Sequence, residues 1–184
     1  MTAAQRYSNT GVVLAAGAGT RYGMPKVLAD TGQWLVSAVA ALHDGGCDDV
    51  VVVLGAAVDG VTIPHPARAV VAENWADGLS ASVRAGVLAV GGEADRAVFL
   101  PVDTPEVNAA AVRRVLDAAA GTGLARATYA SRPGHPVVIA RRHWATLLEM
   151  LAGDDGAGPF LRTRDDVVAV DCADLCSGAD VDTR

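Results

Sequence analysis

The chain has 184 residues, 51% of them hydrophobic and 20% charged, with a formal net charge of −6. That length and composition suit one domain with a sizeable core and are unlike a disordered chain. The acidic balance speaks against non-specific binding to nucleic acid or to an anionic membrane, and no window approaches the roughly 20 apolar residues of a membrane span.

In chain order, the apolar run over 12–16 predicts a buried first strand. Leu35, Ala38, Val39 and Leu42 then recur at i, i+3, i+4 and i+7, one face of a helix, and Gly45-Gly46 supplies its stop. The β-branched run over 50–54 reads as a central parallel strand, and 69–72 as a short third strand. Leu79, Val83, Val87 and Val90 mark a second helix ended by Gly91-Gly92. Another buried strand over 97–101 leads into Val102-Asp103-Thr104-Pro105, where Thr104 is expected to cap a helix with Pro105 in its first turn. Val112, Val115, Leu116 and Ala119 form the stripe of that helix. Strands over 127–131 and 137–140 are expected around a polar turn containing Gly134. Trp144, Leu147, Leu148 and Leu151 make a fourth helical stripe, 167–170 a last strand, and the tail beyond Ser177 is polar. Residues 1–6 carry no apolar core of the signal-peptide kind. The three cysteines, Cys47, Cys172 and Cys176, lack metal-ligand spacing and read as reduced thiols, so a cytoplasmic protein is expected.

Alternation of strands and helices implies a three-layer α/β/α domain with a mostly parallel sheet, one domain over 1–184. Ligands in such sheets sit beyond the carboxyl ends of the strands. That rule puts the loop after the first strand and Asp103 on one rim.

The loop carries the chemistry. Residues 14–26 read Leu-Ala-Ala-Gly-Ala-Gly-Thr-Arg-Tyr-Gly-Met-Pro-Lys. Glycines let backbone N–H groups approach an anion closely, and Arg21 and Lys26 can neutralise its charge. Lys26 is the only lysine in the chain, a compact point charge among planar guanidinium forks. The spacing is not a P-loop, which needs Gly-Lys-Ser/Thr. Nor is it a dinucleotide fingerprint: the third glycine, Gly23, comes one residue late, and Met24-Pro25 blocks the helix that should start there. On its own, Gly17-Ala18-Gly19 is equally a tight turn after a strand.

Taken whole, the thirteen residues resemble the signature of the MobA-like nucleotidyltransferases, whose Rossmann-like nucleotidyltransferase fold wraps an incoming NTP with this loop. Four more segments match in order. Asp103-Thr104-Pro105 resembles the family's Asp-x-Pro, and the stretch over 73–86 its Asn, Trp, Gly, Ser and Gly. Gly134-His135-Pro136 is similar to its Gly-His-Pro on the acceptor side. Gly153-Asp154-Asp155-Gly156-Ala157 is similar to a segment of the molybdopterin cytidylyltransferases. Those continue with arginine where Gly158 stands here. Thr31-Gly32-Gln33-Trp34 likewise replaces the family's Gly-Gly-x-Pro.

The resemblance implies a Mg²⁺-dependent enzyme that moves a nucleotidyl group to a phosphorylated small-molecule acceptor, molybdopterin in the nearest branch, with a molybdoenzyme as partner. Ala16, where the guanylyltransferases have glycine, implies CTP. Arg21, Lys26 and Asp103 would be catalytic. Leu14, Ala15, Ala16, Gly17, Gly19, Thr20, Ser82 and His135 would bind the substrates, with the backbone of Ala15, Ala16 and Gly17 reading the base. Asp103 and Asp182 would hold the metal, Asp182 within a segment that looks like the family's closing Asp-x-Asp-Thr. Residue by residue, plainer roles stand beside these: Asp103-Thr104 as a helix cap, Ser80 and Ser82 as caps or as anion ligands with the free amides of their helix, Trp75 as a ligand wall or core aromatic, Asp182 as a solvated acid. The resemblance also takes in oxidoreductases of small heterocycles, in which a nicotinamide cofactor would occupy the cleft. Against that, Leu54 is followed by Gly55-Ala56-Ala57, with no acid to hold a ribose. A non-catalytic nucleotide-binding accessory protein for a molybdoenzyme is a third possibility.

Overall fold

The computed structural model describes residues 7–182. The expectation for residues 1–6, and Thr183 of the closing segment, lie outside them. Seven strands form one sheet: β1 (Asn9–Leu14), β2 (Asp49–Leu54), β3 (Arg68–Val71), β4 (Arg96–Pro101), β5 (Leu124–Tyr129), β6 (Arg132–Ala140) and β7 (Val168–Asp171). Their order is β3-β2-β1-β4-β6-β5-β7. Only β6 runs against its neighbours β4 and β5; the other pairings are parallel.

Five helices cover both faces: α1 (Gln33–Gly45), α2 (Leu79–Ala89), α3 (Ala109–Ala118), α4 (Trp144–Met150) and α5 (Gly158–Arg162). Alternate residues of the central strands feed two separate cores. Val50 and Val52 pack with Leu35, Leu42, Val112 and Val115 of α1 and α3. Val51 and Val53 pack with Val83, Val87, Leu147 and Phe160 of α2, α4 and α5. All four of these β2 valines are fully buried, and each such burial contributes about 1.5–3 kcal/mol. The architecture is the expected three-layer α/β/α domain.

The boundaries differ in instructive ways. The first strand ends at Leu14, so Ala15 and Ala16 lie beyond it, although the Ala15 N–H still donates to the Val53 carbonyl at 3.0 Å. Thr104 does not cap α3. Its hydroxyl donates to the Pro101 carbonyl at 2.9 Å, and α3 starts after Asn108, whose side chain accepts from the Ala111 N–H at 3.1 Å. Gly134 is not in the turn of the β5–β6 hairpin: Ala130 and Ser131 make that turn at φ 49° and 66°, and Gly134 lies within β6. Helix α5 escaped the periodicity because five residues are too few to show one.

Candidate active site

The strand order reverses direction between β1 and β4, which lie side by side in parallel with Leu14 opposite Pro101. This is the topological switch point, where an open α/β sheet binds its ligand. The phosphate-type loop leaves the end of β1, and Asp103 follows the end of β4. A cleft of about 500 Å³ opens there, within the usual range for small-molecule sites.

The loop is closed on itself. The Gly23 N–H donates to the Gly19 carbonyl at 2.8 Å. Gly19 sits at φ +61°, and a Cβ on it would lie 1.9 Å from the Met24 carbonyl oxygen, so only glycine fits. Gly17 is different. It lines the cleft, and a Cβ on it would meet no atom within 4 Å. The Trp34 ring, in the segment that departs from the family pattern, packs against Tyr22 of the loop with centroids 5.3 Å apart.

Pro25 is extended, and Lys26 follows it into a short 3-10 turn. The Lys26 Nζ donates to Asp103 Oδ2 at 2.7 Å and to Asp182 Oδ1 at 3.0 Å. Arg21 reaches the other Asp182 oxygen at 3.5 Å from an exposed position. The tail that carries Asp182 is fastened to the site, because the Val181 N–H donates to the Asp103 carbonyl at 2.9 Å. Burial by itself would lower the Lys26 ammonium, but its hydrogen bonds to Asp103 and Asp182 outweigh that and hold it above its ordinary value. The same Lys26 contact holds Asp182 below the usual carboxylate range, helped by Arg21.

Two carboxylate oxygens therefore converge on one point, now filled by an ammonium. That donor set fits a divalent cation of the Mg²⁺ type, which takes one or two carboxylates and completes its shell with phosphate and water. Among the described residues no cluster of three or more His, Cys, Asp or Glu could cage a metal without a substrate.

On the opposite wall, α2 begins at Gly78, φ +110°. A Cβ there would lie 2.5 Å from the Gly153 carbonyl oxygen and 2.6 Å from an Asp154 carboxylate oxygen. The Ser80 N–H donates to that Gly153 carbonyl at 3.1 Å, and the Ala81 N–H to Gly78 at 3.2 Å. The expectation that free amides at the start of α2 hold an anion fails for these two, since they are spent and an acid stands beside them. Both serines are buried, but Ser82 lines the cleft and Ser80 does not. Trp75 is both wall and core: it lines the cleft and packs on the second core.

His135 enters from β6. Between the pairs Arg126–Val137 and Thr128–Pro133, β6 advances four residues while β5 advances two. This bulge turns the His135 side chain into the cleft. The Tyr129 hydroxyl pins the bulge by donating to the His135 carbonyl at 2.8 Å. Burial, then the charge of Arg126, push the imidazole down to about 4 against a weaker pull from Asp180, so it is neutral at pH 7.

All twelve residues named from the sequence line this one cleft: Leu14, Ala15, Ala16, Gly17, Gly19, Thr20, Arg21, Lys26, Ser82, Asp103, His135 and Asp182. One role is narrowed. The Ala15 N–H is spent on Val53, and the Ala16 carbonyl accepts from Ala56 at 2.9 Å. Of the three backbones expected to read the base, that of Ala15 thus has its amide engaged elsewhere. Tyr22 and Asp154 line the cleft too; no spacing rule marked them for a site, although both stood inside quoted motifs.

A loop with a single lysine at the switch point, facing two carboxylates, defines a nucleotidyltransferase-type site on an α/β sheet. The chain belongs to the MobA-like NTP transferase domain family, whose model matches residues 11–167. A relative 38% identical, aligned over 95% of this chain and 92% of its own, is the nicotine blue oxidoreductase of Paenarthrobacter nicotinovorans. The solved structure of Rv0371c from Mycobacterium tuberculosis H37Rv is 31% identical with a TM-score of 0.79, covering 96% of this chain and 94% of that one. A nucleotidyl transferase from Methanothermobacter thermautotroptrophicus shares the fold at a TM-score of 0.76 and 24% identity, covering 96% and 92%.

Proposed function

We propose that the protein transfers CMP from CTP to a phosphorylated small molecule. An acceptor phosphate oxygen attacks the α-phosphorus in line, the bond from that phosphorus to the bridging oxygen breaks, and pyrophosphate leaves. Such chemistry asks the protein mainly to position and to neutralise charge. Lys26 turns from its two carboxylates to the triphosphate, and Arg21, held by one exposed contact, swings in beside it. Asp103 and Asp182 would hold Mg²⁺, which supplies charge neutralisation across phosphate oxygens. Ala16 and Gly17 read the base, Ser82 and Asp154 bond sugar hydroxyls, and neutral His135 orients the acceptor. Molybdopterin is an acceptor of the right class, and the cytoplasm, where thiols stay reduced, suits three unpaired cysteines.

The observation that carries this reading is the 2.7 Å contact between Lys26 and Asp103 across the ends of β1 and β4. Calorimetric titration with CTP and GTP, with and without Mg²⁺, tests it, followed by a pyrophosphate-release assay with added acceptor. Magnesium-dependent CTP binding is expected; no NTP binding at any Mg²⁺ concentration overturns it.

A second reading follows from the 38% identical relative's name: hydride transfer between a nicotinamide cofactor and a small heterocycle. The end of β2 weighs against it, because Gly55 is pressed against Trp75 and the Ala16 carbonyl, and Ala56 donates to Ala16. That leaves no acid at 55–57 to hold a cofactor ribose. NADPH in the same titration separates the two. A purely accessory role predicts CTP binding without pyrophosphate release.

A further inference from the structure

Behind His135, on the α5 side of the sheet, stand two arginines that the scheme above does not use. Arg126 is in mid-β5, paired in register with Val137 of β6 and Ala169 of β7. Its neighbours Ala125 and Ala127 face the α1–α3 core, while Leu124 faces the α4–α5 core. By strand alternation Arg126 points with Leu124, toward α5. Its Nε is buried without any hydrogen-bond partner. A buried guanidinium donor left unpaired is costly.

The neighbourhood makes this sharper. Arg162 of α5, a helix packed on the same face of the sheet, adds a second positive charge that Arg126 feels, and His135, in the bulge opposite Arg126–Thr128, is neutral. Arg162 folds back over the start of its own helix, with a terminal nitrogen 3.2 Å from where a Gly158 Cβ would stand. Asp166, between α5 and β7, is engaged by Arg164 at 2.8 Å, and Asp180, which acts on His135, is exposed. Among the described residues neither Arg126 nor Arg162 has an ion pair. Two guanidiniums without a carboxylate, beside a cleft wall, are a site for an anion.

We propose that Arg126 and Arg162 form a second anion subsite, beyond His135, that binds a phosphate-type group on the distal end of the acceptor. The ligand's identity as an acceptor rests on the nucleotidyl-transfer reading; the anion site does not. The anion would supply the missing acceptor for the Arg126 Nε–H and relieve the repulsion between the two cations.

The test uses inorganic phosphate as probe, followed by ³¹P line broadening, in a Lys26→Ala background that weakens the competing loop site. Phosphate binding is expected to persist in K26A and to weaken at least tenfold in K26A/R162Q and in K26A/R126Q. Arg162 is exposed, so its variant keeps the result readable if Arg126→Gln does not fold. Equal phosphate affinity in K26A and K26A/R162Q overturns the subsite, as does loss of all phosphate binding in K26A alone. A separate Mg–CTP titration of R162Q is expected to match wild type. If the wild-type protein binds no nucleotide while the arginine-dependent phosphate site is present, the transfer reading fails and the subsite stands.

Discussion

The Lys26 ammonium lies 2.7 Å from Asp103 Oδ2 and 3.0 Å from Asp182 Oδ1, so one cation closes the site that a divalent ion would open. On the proposed reading lysine and a bound metal would compete for the same two carboxylates. Nucleotide would resolve the competition, because its phosphates would offer the ammonium a new partner. Lys26→Met is therefore expected to raise the affinity of the nucleotide-free protein for Mn²⁺, read by EPR, while cutting turnover by roughly 10²-fold or more. Asp103→Ala should lose both Mn²⁺ binding and turnover. Wild-type turnover in either variant would sink the assignment.

Two glycines of the loop separate fold from function. At Gly19 a Cβ would strike the Met24 carbonyl at φ +61°, so Gly19→Ala should destabilise the protein by about 2 kcal/mol or more and disorder the loop. At Gly17 a Cβ meets open space, so Gly17→Val should leave thermal stability nearly unchanged. Nucleotide affinity should nonetheless fall at least tenfold, since the added branches would stand where the base approaches on the proposed reading. Paired melting and calorimetry on the two variants check the contrast. A Gly17→Val protein with full affinity would move the nucleotide elsewhere.

His135 sets an acid limit on stability. Its pKa in the fold is about 4, below the ordinary 6.5. Above 6.5 the ring is neutral in both states and the fold is unaffected. Between 6.5 and 4 the unfolded chain takes up a proton that the folded chain refuses, so stability falls as pH falls. For this half-buried ring the loss is at most about 3 kcal/mol. His135→Gln should flatten the melting temperature across that window. Asp182, also lowered, contributes stability above its ordinary pKa of 3.8 that is lost below it, a separate and more acidic limb. An unchanged pH profile in His135→Gln would show that another group sets the window.

The cleft was largely legible from the chain because its parts come as short contiguous motifs at strand ends, where topology alone fixes their neighbours. Lys26 and Asp103 are 77 residues apart, yet each follows the end of a parallel strand, so the fold rule brings them together. Thr104 misled because Thr-Pro is good capping chemistry, but its hydroxyl found the nearer Pro101 carbonyl. Gly134 misled because the bulge it belongs to depends on the Tyr129–His135 bond, a contact no local pattern announces. Asp154 and the Arg126–Arg162 pair become site residues only through packing of α5 and the 153–157 turn against α2 and the sheet, which spacing does not encode.

Ala16 provides the last test. It is buried in the α2-side core, it lines the cleft, and its carbonyl holds Ala56. On the proposed reading this buried methyl holds the loop backbone in place against the core, so a larger base cannot push it back. A pyrimidine needs less room than a purine, so on that reading a glycine at 16, with its freer backbone, would admit GTP more readily. Ala16→Gly should therefore narrow the CTP preference by relaxing GTP binding, with a change of roughly tenfold in the ratio of dissociation constants. The cost to stability should be about 1 kcal/mol, from the freed backbone and the lost methyl. Calorimetry with both nucleotides on both proteins measures the ratio. If the variant and the wild type discriminate equally, base selection lies with other cleft residues and the CTP assignment loses its support.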